Sequence, residues 1–333
     1  MAQEKKNGGW FSTFLRFGCL IAVFVASVDL SAAPRFWTLT GVQFAGGGVA
    51  TGTIGFDDDT QTFTTWNVRV SDGPEFYAFT YVPGNSSQSV WTSYEKYPSL
   101  WFQSDLGGEW AYERHLLIQT LVPLDGSNAT VPIVVKSGYD YSFEGAGAAW
   151  GFSRGIVAGA LTLAPPPPPA TIVQVDEFHH PVSGHYFMTA DAGEMHDLDA
   201  GVHPGWVRTG ESFKTYAISA NASGSINPVC RYYRNPLRGL VSHFYSADAA
   251  ECASIYGSPD WLYESDNVFQ ANLPDKGTGV CPGGTIPVYR LWNQRVDSNH
   301  RYATNPSIKQ QMRAMGYVPE GYGADGVAMC AVN

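Results

Sequence analysis

One pattern in the second half of the chain occurs three times, and it constrains the fold more than any other feature. The three copies span about residues 173–217, 229–272 and 286–332. A unit this short cannot bury its own apolar face, so repeated units pack against one another around a shared core. We therefore expect the second half to form a closed arrangement with pseudo-threefold symmetry.

Each copy contains the same anchors in the same order. The first is an apolar and aromatic strand, which starts at Val175, Val229 or Val288. The second is a histidine followed by an aromatic strand, and the three histidines, taken as equivalent, are His185, His243 and His300. The third is a closing strand, which is led by Trp206, Trp261 or Tyr317. This order predicts a β-rich repeat domain that resembles a β-trefoil.

A short helix is predicted in each copy between the second anchor and the third. Asp191, Asp248 and Asn305 are good N-cap residues. Glu194 and Glu251 follow three positions after the two aspartates, as the reciprocal hydrogen bonds of a capping box require.

The three recurring histidines and the three aromatic residues that lead the closing strands are the candidate ligand-binding residues. One interpretation is that each histidine lines its own pocket beside the aromatic residue of the same copy, where the two rings hold a polar ligand such as a sugar. A second interpretation is structural, because recurrence at all three sites also suits a histidine that bonds a backbone carbonyl. A shared metal is a third. We expect no metal, cofactor or catalytic residue.

The first half of the chain, residues 34–164, shows the alternation that is typical of strands. Trp66, Val68 and Val70 alternate with polar residues, and an acidic turn at 57–61 separates two apolar runs. Tyr139, Tyr141 and Phe143 alternate in the same way. A period of two places one apolar face against a core, so we expect a β-sandwich or barrel.

Five consecutive prolines, residues 165–169, separate this half from the repeats, residues 170–333. A run of this kind adopts polyproline II and acts as a semi-rigid spacer. At the other end, the basic residues Lys5, Lys6 and Arg16 precede a short apolar run at 17–27. Residues 1–33 therefore predict a signal peptide, with no further membrane segment and a secreted, cell-surface or periplasmic location.

Charge and cysteine content agree with export. The formal net charge is −10, which disfavours nucleic acid as a partner. Four cysteines follow the predicted signal peptide, and an even number in an oxidising compartment indicates two disulfides. Three pairings are possible. We favour the pairing in which each bond would staple one repeat, Cys230 with Cys252 and Cys281 with Cys330. Zinc is the alternative, but no CxxC spacing is present.

Several segments of the second half carry a specific string of motifs. They are residues 229–233 with 242–252, residues 281–293 with 299–305, and residues 320–330, read as VCRYY, SHFYSADAAEC, CPGGTIPVYRLWN, NHRYATN and EGYGADGVAMC. These segments resemble the DUF5648 repeat. The resemblance covers about residues 173–332 and implies a module at the C-terminal end of exported bacterial proteins, with no defined reaction. Residues 41–73 are similar to the β-rich N-terminal region of exported bacterial proteins that often carry a sorting signal, which implies export and β structure only.

The sequence offers one catalytic motif. Residues 151–155 match G-x-S-x-G with Ser153 at its centre, but a nucleophile elbow requires a strand-to-helix turn, and the residues that follow predict a strand. We therefore expect a non-catalytic exported protein whose repeat region binds a ligand or attaches to a surface, with an extracellular glycan as the candidate partner. The alternatives are a hydrolase with its site in residues 34–164 and a purely structural surface protein.

Overall fold

A computed structural model describes residues 33–74, 76–91, 99–104, 113–135, 142–146, 152–218, 226–234 and 242–333. The predicted signal peptide, up to residue 32, lies outside the described residues, and so do Tyr139 and Tyr141. Residues 33–333 form one compact unit.

The first half forms a single antiparallel sheet. Its strands are β1 (Arg35–Phe44), β2 (Val49–Asp57), β3 (Thr62–Val70), β4 (Phe79–Tyr81), β5 (Ser86–Trp91), β6 (Ser99–Ser104), β7 (Arg114–Gln119), β8 (Thr130–Pro132), β9 (Phe143–Ala146) and β10 (Phe152–Ala164). They follow the order β4-β3-β2-β1-β10-β9-β7-β6-β5, with β8 paired to β10. Strands β5 and β6 return against β3 and β4, so the sheet is nearly closed into a barrel.

Alternation along the strands determines which side chains fill this barrel. Trp66, Val68 and Val70 of β3 are buried, whereas Arg69 between them is exposed. The predicted acidic turn, 57–61, joins β2 to β3. The mainly β class that the sequence predicts is confirmed.

The second half consists of three lobes of the same construction. Its elements are β11 (Ile172–His180), β12 (His185–Thr189), α1 (Ala192–Asp199), β13 (Val207–Tyr216), β14 (Ile226–Pro228), β15 (Cys230–Arg234), β16 (His243–Ser246), α2 (Ala249–Ile255), β17 (Trp261–Ser265), β18 (Gln270–Asn272), β19 (Thr285–Trp292), β20 (His300–Ala303), α3 (Pro306–Ala314), β21 (Val318–Pro319) and β22 (Val327–Val332). Lobe 1 comprises β11, β12, α1 and β13; lobe 2 comprises β15, β16, α2 and β17; lobe 3 comprises β19, β20, α3 and β21. In each lobe the third strand pairs with the first strand of the hairpin.

The three lobes share one apolar core. Val175, Val229 and Val288, one from the first part of each copy, are all 0% exposed and lie in a single cluster with Tyr245 and Tyr302. Strands β18 and β22 join lobes 1 and 3 into a nine-stranded sheet, whereas lobe 2 is a separate three-stranded sheet. The shared core confirms that the repeats pack around a common interior. Likeness to a β-trefoil remains a prediction.

The predicted N-caps are confirmed, but the predicted capping boxes are wrong. The carboxylates of Asp191 and Asp248 and the side-chain oxygen of Asn305 each accept a hydrogen bond from the first turn of their helix. The backbone N–H of Asp191 donates to the hydroxyl of Thr189 at 2.9 Å, and that of Asp248 donates to Ser246 at 3.0 Å. These nearby hydroxyls take the place of the glutamates, which bind arginines instead.

The two halves of the chain contact each other beside the proline run. Asp266 of the second half accepts hydrogen bonds from Arg69 at 2.8 Å and from Thr80 at 3.0 Å. The rings of Tyr77 and Tyr256 lie 4.6 Å apart. The proline run therefore connects two halves that touch, and its role as a spacer remains a prediction.

Two disulfides join the cysteines in the favoured pairing. Cys230 is bonded to Cys252, with Cα atoms 6.1 Å apart, and Cys281 to Cys330, with Cα atoms 5.8 Å apart. The first links β15 to α2 within lobe 2, and the second anchors β22 beside the start of β19. Among the described residues, no helix is both long and apolar enough to span a membrane.

Candidate functional site

The pairing between hairpin strands determines which residues of the three lobes are equivalent. Arg231 lies opposite Tyr245, as Arg290 lies opposite Tyr302 and Glu177 opposite Met188. Tyr245, Tyr302 and Met188 are therefore equivalent. The residues two positions before them, His243, His300 and Tyr186, are equivalent as well. The predicted equivalence of His185 with the other two histidines is therefore wrong by one residue, because His185 forms the outermost pair of its hairpin, opposite His180.

An imidazole stacks on a ring of the opposite strand in each lobe. The ring centroids of Tyr233 and His243 are 4.8 Å apart, and those of Trp292 and His300 are 6.5 Å apart. In lobe 1 the two partners have exchanged strands, since His179 of β11 lies 4.7 Å from Tyr186 of β12. These contacts are cross-strand pairs of the kind that stabilise a sheet.

The glutamate near the start of each of the first two helices binds an arginine of the next lobe. Arg231 donates from Nη1 and Nη2 to both carboxylate oxygens of Glu194, at 2.9 and 2.6 Å. Arg290 donates to both oxygens of Glu251, at 3.0 and 2.6 Å. Two parallel N–H···O bonds fix the direction as well as the distance of such a pair, so lobe 1 is joined to lobe 2 and lobe 2 to lobe 3 in the same way.

The third junction has the opposite charges. Glu177 occupies the position equivalent to Arg231, and Arg301 donates to its two oxygens at 3.0 and 2.8 Å. Arg301 itself takes the position of the aromatic residues Phe187 and Phe244, over which the other two arginines lie. Lobe 3 is thereby joined to lobe 1, and the ring of lobes is closed by an ion pair that the search for recurring residues missed.

Two of the predicted histidines, His243 and His300, meet the aromatic residue of the preceding lobe. His243 of lobe 2 lines the same cleft as Trp206 of lobe 1, and His300 of lobe 3 lies 6.3 Å from Trp261 of lobe 2. The prediction of one pocket within each copy is therefore wrong, because the hairpin of one lobe packs against the closing strand of its neighbour.

The remaining two candidates lie between lobes 3 and 1. His185 Nε2 is 3.0 Å from Asp297 Oδ2, and the hydroxyl of the buried Tyr317 accepts a hydrogen bond from Asn299 at 2.9 Å. Asn299 also donates to the carbonyl of Gly184 at 2.8 Å. These contacts hold two hairpin ends together, so His185 and Tyr317 have structural contacts in this arrangement.

A cleft of about 470 Å³ separates lobe 1 from lobe 2. Its residues from lobe 1 and the segment after α1 are His180, Ser183, Phe187, Glu194, Asp197, Leu198, His203 and Trp206, and those from lobe 2 are Arg231, Tyr233, His243 and Glu264. Concave sites with aromatic walls and a few polar groups are where proteins bind small ligands. The cleft combines three aromatic rings with both hydrogen-bond donors and acceptors.

Burial controls the protonation of the groups at the base of this cleft. It lowers the pKa of His243 from 6.5 to about 3, and the positive charge of Arg231 adds to the effect. Burial also raises the pKa of Glu264, against the effect of Arg231, which donates from Nε to that carboxylate at 2.9 Å. The imidazole is therefore neutral at physiological pH, and within the described residues its Nδ1 atom has no hydrogen-bond partner.

At the junction of lobes 2 and 3 the equivalent carboxylate is held more closely. Glu320 lies 2.9 Å from both His300 Nε2 and Arg290 Nε. Burial acts to raise the pKa of Glu320, but the hydrogen bond from His300 and the charge of Arg290 outweigh it and lower the pKa. Burial lowers the pKa of His300.

The geometry of the first half does not support the serine motif. Ser153 lies on strand β10, opposite Gly145 of β9, and β10 continues to Ala164. A nucleophile elbow needs a tight turn into a helix, so Ser153 lacks the backbone that would present it. Among the described residues, no group of three or more histidine, cysteine, aspartate or glutamate side chains is placed to hold a metal ion.

These features define a class of protein: a barrel-like β sheet followed by a ring of three β lobes closed by arginine–glutamate pairs. Residues 163–271 match the sequence model of a family described as a domain of unknown function, DUF5648. The chain thus carries a DUF5648 region in its second half, as the motifs predicted, and the match extends over lobes 1 and 2. No curated protein and no solved structure matches the chain.

Proposed function

We propose that this protein is a non-catalytic binding protein that acts outside the cytoplasm and holds an extracellular glycan in the cleft between lobes 1 and 2. The observation that carries the proposal is the composition of the cleft, in which the aromatic rings of Phe187, Trp206 and Tyr233 stand beside the polar groups of Asp197 and Glu264. A sugar has an apolar face that packs on aromatic rings and a rim of hydroxyl groups that needs hydrogen-bond partners.

The rigidity of the site supports binding. Arg231 bridges Glu194 of lobe 1 and Glu264 of lobe 2, and it lies over the ring of Phe187 at 5.1 Å. A site held in place before the ligand arrives loses less entropy on binding.

Export is supported by the two disulfides, since such bonds persist in oxidising compartments and are rare in the cytosol. The module of the second half would then be carried outside the cell together with the barrel of the first half. Detection of the chain outside the cytoplasm, with its N-terminus cut near residue 33, would test this part of the proposal.

A glycan array probed with the purified full chain tests the binding. The variant Trp206→Ala removes one wall of the cleft, and Trp101→Ala removes a partly exposed tryptophan of the barrel as a matched control. We expect the first variant to lose array binding and the second to retain it. Equal binding by both variants would place the site elsewhere, and a wild-type chain that retains no glycan would refute the proposed function.

A further inference from the structure

Three carboxyl groups, one guanidinium and the imidazoles of three histidines line the cleft between lobes 1 and 2. Glu194, Asp197 and Glu264 face a single guanidinium, that of Arg231. Arg231 forms hydrogen bonds with both glutamates through its three nitrogens. Its charge is therefore satisfied within the protein. Among the described residues Asp197 forms no ion pair, so its side chain can attract a positively charged ligand.

The equivalent position in lobe 2 shows which chemical group this arrangement accepts. Arg234 pairs across the strands with Trp261, and its guanidinium lies 5.1 Å from the centroid of that indole ring. The same guanidinium is 3.6 Å from the carboxylate of Asp260. A cation over a tryptophan and beside an acid is thus held in lobe 2 by the chain itself.

Lobe 1 has the same tryptophan but not the arginine. The hairpin register aligns His180 with Arg234 and Trp206 with Trp261. His180 meets Trp206 edge to face, with centroids 5.4 Å apart at 74°. Both residues line the cleft, and Asp197 of α1 supplies the acid there.

The geometry points to a positively charged amino sugar, a hexosamine with a free amine, as the ligand of the cleft, with its ammonium group near Trp206 and Asp197. This inference rests on the proposed function and names the chemical class of the glycan. In lobe 1 the ammonium group of the ligand would lie beside Trp206 and Asp197, as the guanidinium of Arg234 lies beside Trp261 and Asp260 in lobe 2.

The other walls of the cleft favour a sugar over a bare cation. Phe187 and Tyr233 add aromatic surface, and the ring of Phe187 lies 4.7 Å from that of His243. Two further rings exceed what one ammonium group needs, but they suit the flat faces of successive sugar rings.

The test is a calorimetric titration of the full chain with four-residue oligomers of glucosamine and of N-acetylglucosamine, at a pH at which the glucosamine amine is protonated. The sugar nitrogen is then a charged ammonium group in the first oligomer and a neutral amide in the second. We expect the charged oligomer to bind about tenfold more tightly than the acetylated one, and the advantage to shrink at high salt. Asp197→Asn should reduce that advantage, whereas Asp325→Asn, the same change at an exposed site in lobe 3, should preserve it. Trp206→Ala should weaken binding about five- to thirtyfold, and its thermal unfolding would show that the variant is folded.

The outcomes separate this inference from the proposed function. Tighter binding of the acetylated oligomer would overturn the inference and leave glycan binding intact. Binding of tetralysine as tight as that of the glucosamine oligomer would overturn the claim that the ligand is a sugar, because the cleft would then recognise a cation alone. Binding of a glycan on the array without either oligomer binding would overturn the inference alone, and an array without any bound glycan would overturn both.

Discussion

The ion pair between Glu177 and Arg301 leads to the sharpest prediction about stability. Its two side chains are 7% and 10% exposed, and it joins the last lobe to the first. Glu177→Gln removes the buried carboxylate to which Nε and Nη2 of Arg301 donate. Removal of one partner of a buried pair costs about 3–5 kcal/mol, because the remaining charge has lost its water and gained nothing in return.

This loss should be visible in thermal unfolding. For a domain of about 150–250 residues, each kcal/mol lowers the midpoint by about 2–4 °C, so the expected decrease is about 6–20 °C. The assay is circular dichroism on the full chain with both disulfides oxidised. Asp325→Asn, which removes one partner of the exposed ion pair with Lys309, is the control and should change the midpoint little.

The equivalence of the lobes also predicts a rescue. Ile308 lies three residues after the N-cap Asn305, as Glu194 and Glu251 lie three residues after theirs. At the other two junctions the positions of Glu177, Arg301 and Ile308 therefore hold an arginine, a phenylalanine and a glutamate. Glu177→Arg alone places two like charges together and should destabilise the chain. The triple variant Glu177→Arg, Arg301→Phe, Ile308→Glu copies the other junctions and should recover most of that loss.

Two results would refute this reasoning. One is a Glu177→Gln variant that loses less than about 1 kcal/mol, the range of an exposed pair. The other is a triple variant that is no more stable than Glu177→Arg, since the three junctions would then differ in more than the placement of their charges.

Three further predictions concern the groups inside the two halves. The pKa of His243 falls from 6.5 to about 3 in the folded chain, so the unfolded chain binds more protons than the folded chain below pH 6.5. The free energy of unfolding, measured in urea, should therefore decrease as the pH drops toward 3. His243→Gln should flatten this slope between about pH 5 and 6.5. Loss of the disulfide between Cys281 and Cys330, which are 49 residues apart, should cost about 4 kcal/mol, and loss of the Cys230–Cys252 bond, 22 residues apart, about 3 kcal/mol; a reversed order in urea unfolding would contradict the loop-closure argument. Ser153→Ala should change the unfolding free energy by less than about 0.5 kcal/mol and leave any ester hydrolysis by the preparation unchanged.

Local patterns in the sequence were sufficient for the elements of this fold. Alternation predicted β3, the acidic turn predicted the hairpin of β2 and β3, and the N-caps of all three helices were confirmed. Each of these depends on a few neighbouring residues, so the physical cause lies within the segment that was read.

The site depends on contacts between lobes, and there the sequence was less informative. A histidine recurs in each copy, but a shift of one residue in the first hairpin places Tyr186 where lobes 2 and 3 have histidine. The arginine of the first strand recurs in only two copies, so the reversed pair of Glu177 and Arg301 was invisible to a search for identical residues. A search for complementary charges at equivalent positions would have found it.

The difference between lobes 1 and 2 allows a final prediction about the cleft. His180→Arg would give lobe 1 the residue that lobe 2 has at Arg234, and the new guanidinium could lie over Trp206 as Arg234 lies over Trp261. We expect this variant to lose binding of a cationic ligand, because the arginine occupies the place of the ligand, while its thermal midpoint stays the same or rises. His180→Gln, which adds no charge, is the control and should retain most of the binding. Undiminished binding by the arginine variant would contradict the correspondence between the two lobes, since a cation already over the indole leaves no room for a second one.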